Sequence, residues 1–512
     1  MPRKDLRVRW QRKHSSGAEK RMILKYTNYL SPLAQEIDKC KETLNQQRAM
    51  SLQNAVSGTL AAMAARVECR KDEILETKSK SKSSRQPLVF IVAKGIAEAA
   101  DGNLAVPSFS PKAKAEQKVF LFVATHWTPL DSQQFFDFVN DAAFRLGLPE
   151  EERVSASFMC AVYEQVAFMV SRVRVNNVPH HEAWLNLQNG TLEVKADGSS
   201  VFREHRRDDF FLYALAYSYD AAADCPRWHH FLDEVLPDPE AQLLLAEYVG
   251  YCFTKDIKAE KMLVLYGSGS NGKSVVLDVV EALFGSANVS NVSLAELTDN
   301  DEKRSMLEGK LANISHESGA QIDTARLKQI VSGEPIEVRR LYENTHIMRD
   351  YAKIIVSFNM LPRAEVTMGY FRRWMIVEFA NTITEEKADV DLAKKICNEL
   401  PGILNWVLAA MTRFVSRRSF SPCRSSAKAL EHYKRMSDSV RLFVDEMCCT
   451  DEQCATSGKD LYNAYCVYCH SDGLKPLGKQ NFFERLQSLG AKRHDVNRTP
   501  FFNLKVNHDD TF

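Results

Sequence analysis

At 512 residues the chain is long enough for about three domains. Hydrophobic residues make up 45% and charged residues 26%, the proportions of a folded globular protein, which excludes wholesale disorder. Lys and Arg number 67 against 66 Asp and Glu, a formal charge of +1, so a polybasic protein is excluded and any hold on nucleic acid must come from local patches.

The first 21 residues carry Arg3, Lys4, Arg7, Arg9, Arg12, Lys13, Lys20 and Arg21 against Asp5 and Glu19. That is a basic arm able to touch phosphate, or a solvated tail. From Tyr26 to Glu76 the sequence is polar, Ala/Leu/Gln-rich and nearly free of Gly and Pro, which predicts helix. The low-complexity run Thr77–Ser84 is a linker and closes a first region at residue 84. No run approaches the roughly 18 apolar residues of a membrane helix, and the basic Met1 end lacks an apolar core. The expectation is a soluble, unexported chain whose 12 cysteines stay reduced.

A second region covers residues 85–258. Lys118–Val123 has strand character, Ser132–Leu146 has helical spacing, and Trp184–Val194 reads as a hairpin closed at Asn189-Gly190. Helical patterns continue through Trp228, Phe231, Leu232 and Leu243 to Tyr251. His180, His181, Glu182, His229 and His230 lack a matching third ligand or a placed tyrosine nucleophile and are taken as structural.

Residues 259–416 alternate strands and helices as an α/β nucleotide-binding domain should. The apolar run Lys261–Tyr266 leads into Gly267-Ser268-Gly269-Ser270-Asn271-Gly272-Lys273-Ser274, followed by a helical Val275–Leu283. This is GxxxxGK[ST] between a strand and a helix. The glycines let backbone amides approach phosphate oxygens, Lys273 places a positive charge on the β/γ phosphates, and the Ser274 hydroxyl suits Mg²⁺. The predicted ligands are therefore ATP and Mg²⁺. About forty residues on, Gly309–Glu317 reads as a strand ending in an acid, Glu317, suited to order Mg²⁺ with Ser274 and to polarise water. Lys353–Asn359 is a second buried strand whose terminal amide could position that water. Arg372 and Arg373 stand just before another strand, where an arginine could stabilise transition-state charge. Between them, Glu334–Arg349 alternates around a charged, aromatic tip and predicts a β-hairpin with Arg339, Arg340, Tyr342 and Asn344 available to nucleic acid.

Residues 427–512 form a small terminal domain in which Leu461 and Phe482-Phe483 look like core. Lys475, Lys479, Arg485, Lys492, Arg493 and Arg498 surround a helix–turn–helix pattern. Cys448, Cys449 and Cys454 with Cys466, Cys469 and His470 make a zinc site conceivable, but the adjacent pair is badly spaced and helical structural cysteines are the simpler reading.

The series from the P-loop through Asn-Ile-Ser-His-Glu317, Leu327-Lys328–Gly333-Glu, Arg339-Arg340-Leu-Tyr342, Phe-Asn359-Met-Leu-Pro and Phe-Arg372-Arg373 resembles superfamily 3 helicases. The likeness is to their phage/plasmid and poxvirus primase-helicase branch. Upstream, His126-Trp127, Asn189-Gly190-Thr-Leu and Glu247-Tyr-Val-Gly250-Tyr-Cys-Phe resemble the segment preceding the ATPase in that branch. Downstream, Leu461-Tyr462, Tyr465-Cys466, Gly473 and Phe482-Phe483 resemble its winged-helix-like tail. The resemblance runs from about Lys118 to the C-terminus. It implies a multidomain α/β protein: a helical N-terminal region, an α+β pre-helicase domain, an AAA+-like P-loop core and a winged-helix-like end. It further implies a self-assembled ring, usually hexameric, that hydrolyses ATP at subunit interfaces and moves on single-stranded or forked DNA. In that scheme Glu317 is the Walker B acid, Asn359 the sensor amide, Arg372/Arg373 the finger region, and the hairpin tracks phosphates in the channel. Two departures stand out: His316 occupies a position where many members have a second acid, and Glu334 and Glu365 replace frequent aspartates.

The segment outside the resemblance is too short for a primase, and no zinc ribbon or polymerase acid triad precedes the P-loop. The expectation is a stand-alone helicase for a phage, satellite element or plasmid, in a bacterial host cytoplasm, with primase supplied by another protein. The alternative is an origin-binding initiator or scaffold whose ATP site only switches assembly.

Overall fold

The computed structural model describes residues 50–67, 86–106, 119–170, 183–255, 257–317, 322–340, 345–362, 368–384, 389–450, 455–496 and 499–506. The basic arm, the 77–84 linker, His180–Glu182, Tyr342, Asn344 and Glu365 lie outside them. The chain divides into two compact units, residues 1–178 with 206–213, and residues 179–205 with 214–512.

In the first unit a helix over 50–65 joins Gln86–Ala100, Ser132–Leu146 and Ala156–Met169 around one apolar core. The Ser132–Leu146 helix begins on a capping box between Asp131 and Gln134 and ends at Gly147, where φ is 95°. The expected strand at Lys118–Val123 is realised as Phe120–Phe122, central in a small antiparallel sheet with Leu104–Ala105 and Trp127–Pro129.

The second unit is built on a five-stranded sheet of β1 (Met262–Tyr266), β2 (Val289–Ser290), β3 (Ala312–Glu317), β4 (Lys353–Phe358) and β5 (Trp374–Glu378). The order is β5-β1-β4-β3-β2 and every pairing is parallel. Met262, Leu263, Val264 and Leu265 are all buried, as a strand covered on both faces requires. Helices α1 (Lys273–Phe284), α2 (Leu294–Asp299) and α3 (Thr324–Val331) connect the strands, and an antiparallel hairpin, Ile336–Val338 with His346–Met348, stands between α3 and β4.

The Glu247–Phe253 segment braces this sheet. It runs from the helix Pro239–Cys252 into its C-cap Phe253, and the single Tyr248 hydroxyl proton is shared between the carbonyls of Lys261 (3.0 Å) and Ile354 (2.8 Å), joining the starts of β1 and β4. Gly250 faces the helix Leu400–Arg417, and a Cβ there would lie 2.5 Å from the Met411 Cβ. Buried Glu247 accepts from the Ser421 amide and hydroxyl at 2.7 and 2.6 Å.

At the C-terminal end, helices Ser439–Met447, Gly458–Ser471 and Lys479–Ser488 and the hairpin Arg493–Val496 with Thr499–Phe502 share a core of Phe443, Leu461, Tyr465, Phe482 and Leu486. The expected hairpin near Trp184 is present, with Leu187 paired to Gly190, so the turn residues are Gln188 and Asn189. Among the described residues no helix is long and apolar enough to cross a membrane.

Candidate nucleotide site and basic hairpin

The P-loop leaves the C-terminal edge of the sheet. Its position is fixed by backbone bonds from Gly267 N–H to the Phe358 carbonyl (3.2 Å), Phe379 N–H to the Tyr266 carbonyl (2.7 Å) and Ile383 N–H to the Ser270 carbonyl (2.7 Å). A Cβ on Gly267 would meet the Asn271 amide nitrogen at 2.1 Å, so the turn closes only with glycine. Gly272, at φ 81°, caps α1 and packs on Phe231 and Val235. Lys273 opens α1 with its ammonium turned back into the loop, donating to the Gly267 carbonyl and the Asn271 side-chain carbonyl, both at 2.7 Å. Burial pushes its pKa down. Ser268, Ser270 and Ser274 are exposed at the loop mouth. A tight amide-lined turn, an open side at Gly269 and a desolvated ammonium suit a phosphate chain.

Across the same edge, Phe358 pairs with Tyr266 on one side and Glu317 on the other. This register puts Gly267, Asn359 and Glu317 at the ends of three adjacent strands, with β4 between the loop strand and the acid strand. At about 4.8 Å per strand, Glu317 lies about 10 Å from the P-loop strand, room for phosphate, metal and water. Glu317 is 8% exposed, and its Oε1 accepts from the Leu294 amide at 2.6 Å and the Ser315 hydroxyl at 3.0 Å. Burial raises its pKa more than these two bonds lower it, and Glu296 adds to the rise. Such a carboxyl suits a cation or a proton. Asn359 is exposed just past β4, and His316 also points outward from the sheet.

The two arginines before β5 have opposite surroundings. The Arg373 side chain is 10% exposed and gives Ser332 Oγ hydrogen bonds of 3.0 and 2.6 Å, with a third to the Gly369 carbonyl. The Arg372 side chain is 60% exposed, and among the described residues its guanidinium is held by Glu260 alone, at 3.0 Å; the same carboxylate lies 3.6 Å from Arg373.

In the hairpin, Ile336, Val338 and Met348 point into the core while Arg339 is exposed. Arg340 is not simply projecting: it pairs with Glu308 at 2.6 Å, and His346 reaches the same carboxylate at 3.0 Å. Tyr342 and Asn344 at the tip fall outside the described residues.

Elsewhere, Cys466 and Cys469 lie on the helix Gly458–Ser471, with Cys469 buried in the core, and neither joins a three-ligand group among the described residues. His229 does find partners that sequence spacing did not offer: its ring, the Asp224 carboxylate and the Cys225 thiol approach within 4.8 Å of one another. Burial, with Asp224 and Glu399 nearby, pushes the Cys225 thiol up to about 12, so it is protonated. The roles of Tyr248 and Glu247 as struts were also unpredicted. An apolar-flanked Glu-Tyr signals burial of a polar pair, but not which carbonyls it ties.

Residues 3–237 match a family model described as D5 N terminal like, and residues 265–373 match a family of unknown function, DUF5906. Over 238 residues, 43% of this chain, the sequence is 22% identical to a protein of Acanthamoeba polyphaga mimivirus that carries a provisional helicase name. These matches support a likeness to primase-helicase-family proteins, the D5 N terminal like model covering just under half of the chain. The family match begins at residue 3, so it takes in the N-terminal segment that the recognised motifs left aside. The chain spans about a quarter of the mimivirus relative, 24% of its length. Among solved structures it is similar to the A form apo structure of the NrS-1 C-terminal region, with a TM-score of 0.47 and 12% identity, covering 81% of this chain and 98% of that one. It is also similar to the apo structure of NrS-1 C-terminal region 305–718, with a TM-score of 0.44 and 12% identity, covering 83% and 100%.

Proposed function

We propose that this chain is an ATP-dependent, ring-forming DNA helicase or translocase of the superfamily 3, AAA+-like type, serving replication of a phage, satellite element or plasmid. The observation that carries the reading is the row formed by the P-loop, Asn359 and Glu317 on adjacent parallel strands, with Arg372 exposed at the head of β5. In the proposed chemistry the P-loop amides and Lys273 hold the triphosphate, and Lys273 exchanges its two internal acceptors for phosphate oxygens. Ser274 and Glu317 would hold Mg²⁺, which neutralises charge on the phosphates. Glu317 orders and deprotonates the attacking water, and Asn359 aligns that water with the γ-phosphate. With a single acid on the strand, Glu317 serves both tasks.

Arg372 is the finger. A group that must reach a neighbouring subunit's nucleotide has to be exposed and weakly tethered, which describes Arg372 and excludes Arg373. Mixing Lys273→Ala and Arg372→Ala proteins tests this. Each is inactive alone, and a mixed ring should regain hydrolysis where a Lys273→Ala subunit lends its Arg372 to an intact P-loop. Failure to regain any hydrolysis would place the arginine within its own subunit or outside the reaction.

The partners under this reading are single-stranded and forked DNA, further copies of the chain, and a separately encoded primase or replication protein. One observation favours the second reading, an ATP-switched origin-binding initiator. The helix Lys479–Ser488 exposes Gln480, Asn481, Glu484 and Gln487, side chains able to read base edges in duplex DNA. Unwinding of a forked duplex by the wild-type protein decides between the two.

A further inference from the structure

At the opposite edge of the sheet from the P-loop, about 20 Å away along β4 at roughly 3.3 Å per residue, lies a small cleft into which Lys353, the first residue of β4, extends. Its wall is strongly cationic. Lys255, Lys258, Lys261 and Arg349 line it with Lys353, and Asp350 is the one carboxylate among the described lining residues. Asp350 is committed to Lys255 at 3.7 Å, Lys258 donates to the Gly333 carbonyl at 2.7 Å, and Lys261 donates to the Arg372 carbonyl.

Lys353 differs from these. Its ammonium sits over the Tyr251 ring, 5.1 Å from the centroid, and no described residue gives its side chain a hydrogen bond or an ion pair. Burial drives its pKa downward; Cys252 and Asp350 offset part of the fall, and Lys258 adds to it. Arg349, which follows the second strand of the basic hairpin, is exposed at the rim, and no ion pair quenches it among the described residues. Desolvating an ammonium without an anion is costly, and the cost falls when an anion enters. Five cations around one carboxylate select a group carrying more than one negative oxygen, and the mixture of rigid lysines and an arginine fork suits phosphate.

We propose that this cleft binds a phosphate group, with Lys353 as its half-buried anchor and Arg349, Lys255 and Lys258 as its rim. The place of the cleft at the foot of the basic hairpin makes a phosphodiester of a single strand the natural source, and a free pyrophosphate shares the same chemistry. The walls also touch the arginine pair: Lys261 holds the Arg372 carbonyl, and Ser332, also lining the cleft, holds the Arg373 guanidinium. An anion that draws Lys261 inward would therefore act directly on the segment carrying Arg372.

The test uses the whole 512-residue chain with Lys273→Ala, which weakens the P-loop as a phosphate site and makes the outcome independent of hydrolysis. Into it go Lys353→Met, Lys353→Arg and, at the exposed rim, Arg349→Ala. Two probes are measured: affinity for a labelled oligothymidylate across a salt series, and the melting shift on adding inorganic pyrophosphate. The proposal predicts at least a fivefold loss of oligothymidylate affinity in Lys353→Met, with a log–log salt slope shallower by about 0.7 for each phosphate no longer neutralised. Lys353→Arg should restore most of it. If pyrophosphate protection, rather than strand affinity, disappears in Lys353→Met, the same site takes free phosphate and the proposal stands with that source. Unchanged strand affinity and unchanged pyrophosphate response in both Lys353→Met and Arg349→Ala would overturn it. If Lys353→Met does not fold, Arg349→Ala carries the same readouts.

Discussion

The Arg373 guanidinium satisfies the Ser332 hydroxyl and the Gly369 carbonyl in a mostly buried setting, so Arg373→Ala removes both packing and hydrogen bonds. The loss should be about 2 kcal/mol, seen as a lower melting temperature. Arg372→Ala gives up one exposed ion pair, worth well under about 1 kcal/mol, and should melt as wild type while losing ATP hydrolysis by at least about 100-fold. A melting profile that falls for Arg372→Ala and not for Arg373→Ala would reverse the assignment. Glu317 gives a second contrast. Its raised pKa means that the folded state binds the proton more readily than the unfolded chain, so stability from this group is fully present at low pH and is lost as pH rises through the folded value. At neutral pH the buried carboxylate is therefore a cost. Glu317→Gln should raise the melting temperature at pH 7 by about 2 °C while abolishing turnover and preserving ATP binding.

At the scale of elements, the helix crossing at Gly250 and the hairpin at Arg339 make separate predictions. Gly250→Ala forces a methyl to 2.5 Å from the Met411 Cβ and should destabilise the second unit by about 1–3 kcal/mol, measured by denaturant unfolding. Arg339→Ala with Arg340→Ala should cut unwinding by at least about tenfold while basal hydrolysis stays within about twofold. If hydrolysis falls in parallel with unwinding, the hairpin is part of the ATP site's support instead. These elements were unequally legible. The P-loop could be located residue by residue, because phosphate binding fixes glycine, lysine and serine at set spacings between a strand and a helix. The Glu317 and Asn359 strands were legible as buried apolar runs ending in polar groups. Their order in the sheet was not, since β4 inserts between β1 and β3 and no local pattern records which strands pair. Arg372 and Arg373 look equivalent in sequence, and only the position of Ser332, on a segment about forty residues away, separates them. The same is true of the Arg340–Glu308 pair and of the cleft around Lys353, both assembled from distant segments.

For the whole molecule, the proposed nucleotide site stands at one edge of a parallel sheet, with cationic surfaces at the hairpin and at the opposite edge. The match to the D5 N terminal like model over residues 3–237 takes in the N-terminal segment without assigning it a reaction. Near-zero net charge means that strand binding must be local, and hence strongly dependent on salt. The most direct test is ATP hydrolysis by the purified full chain with and without single-stranded DNA, beside Lys273→Ala. Hydrolysis should be stimulated several-fold by a single strand and reduced to background by Lys273→Ala in a protein of unchanged fold. Hydrolysis surviving Lys273→Ala would contradict the nucleotide site, and hydrolysis indifferent to single strands would contradict the translocating motor.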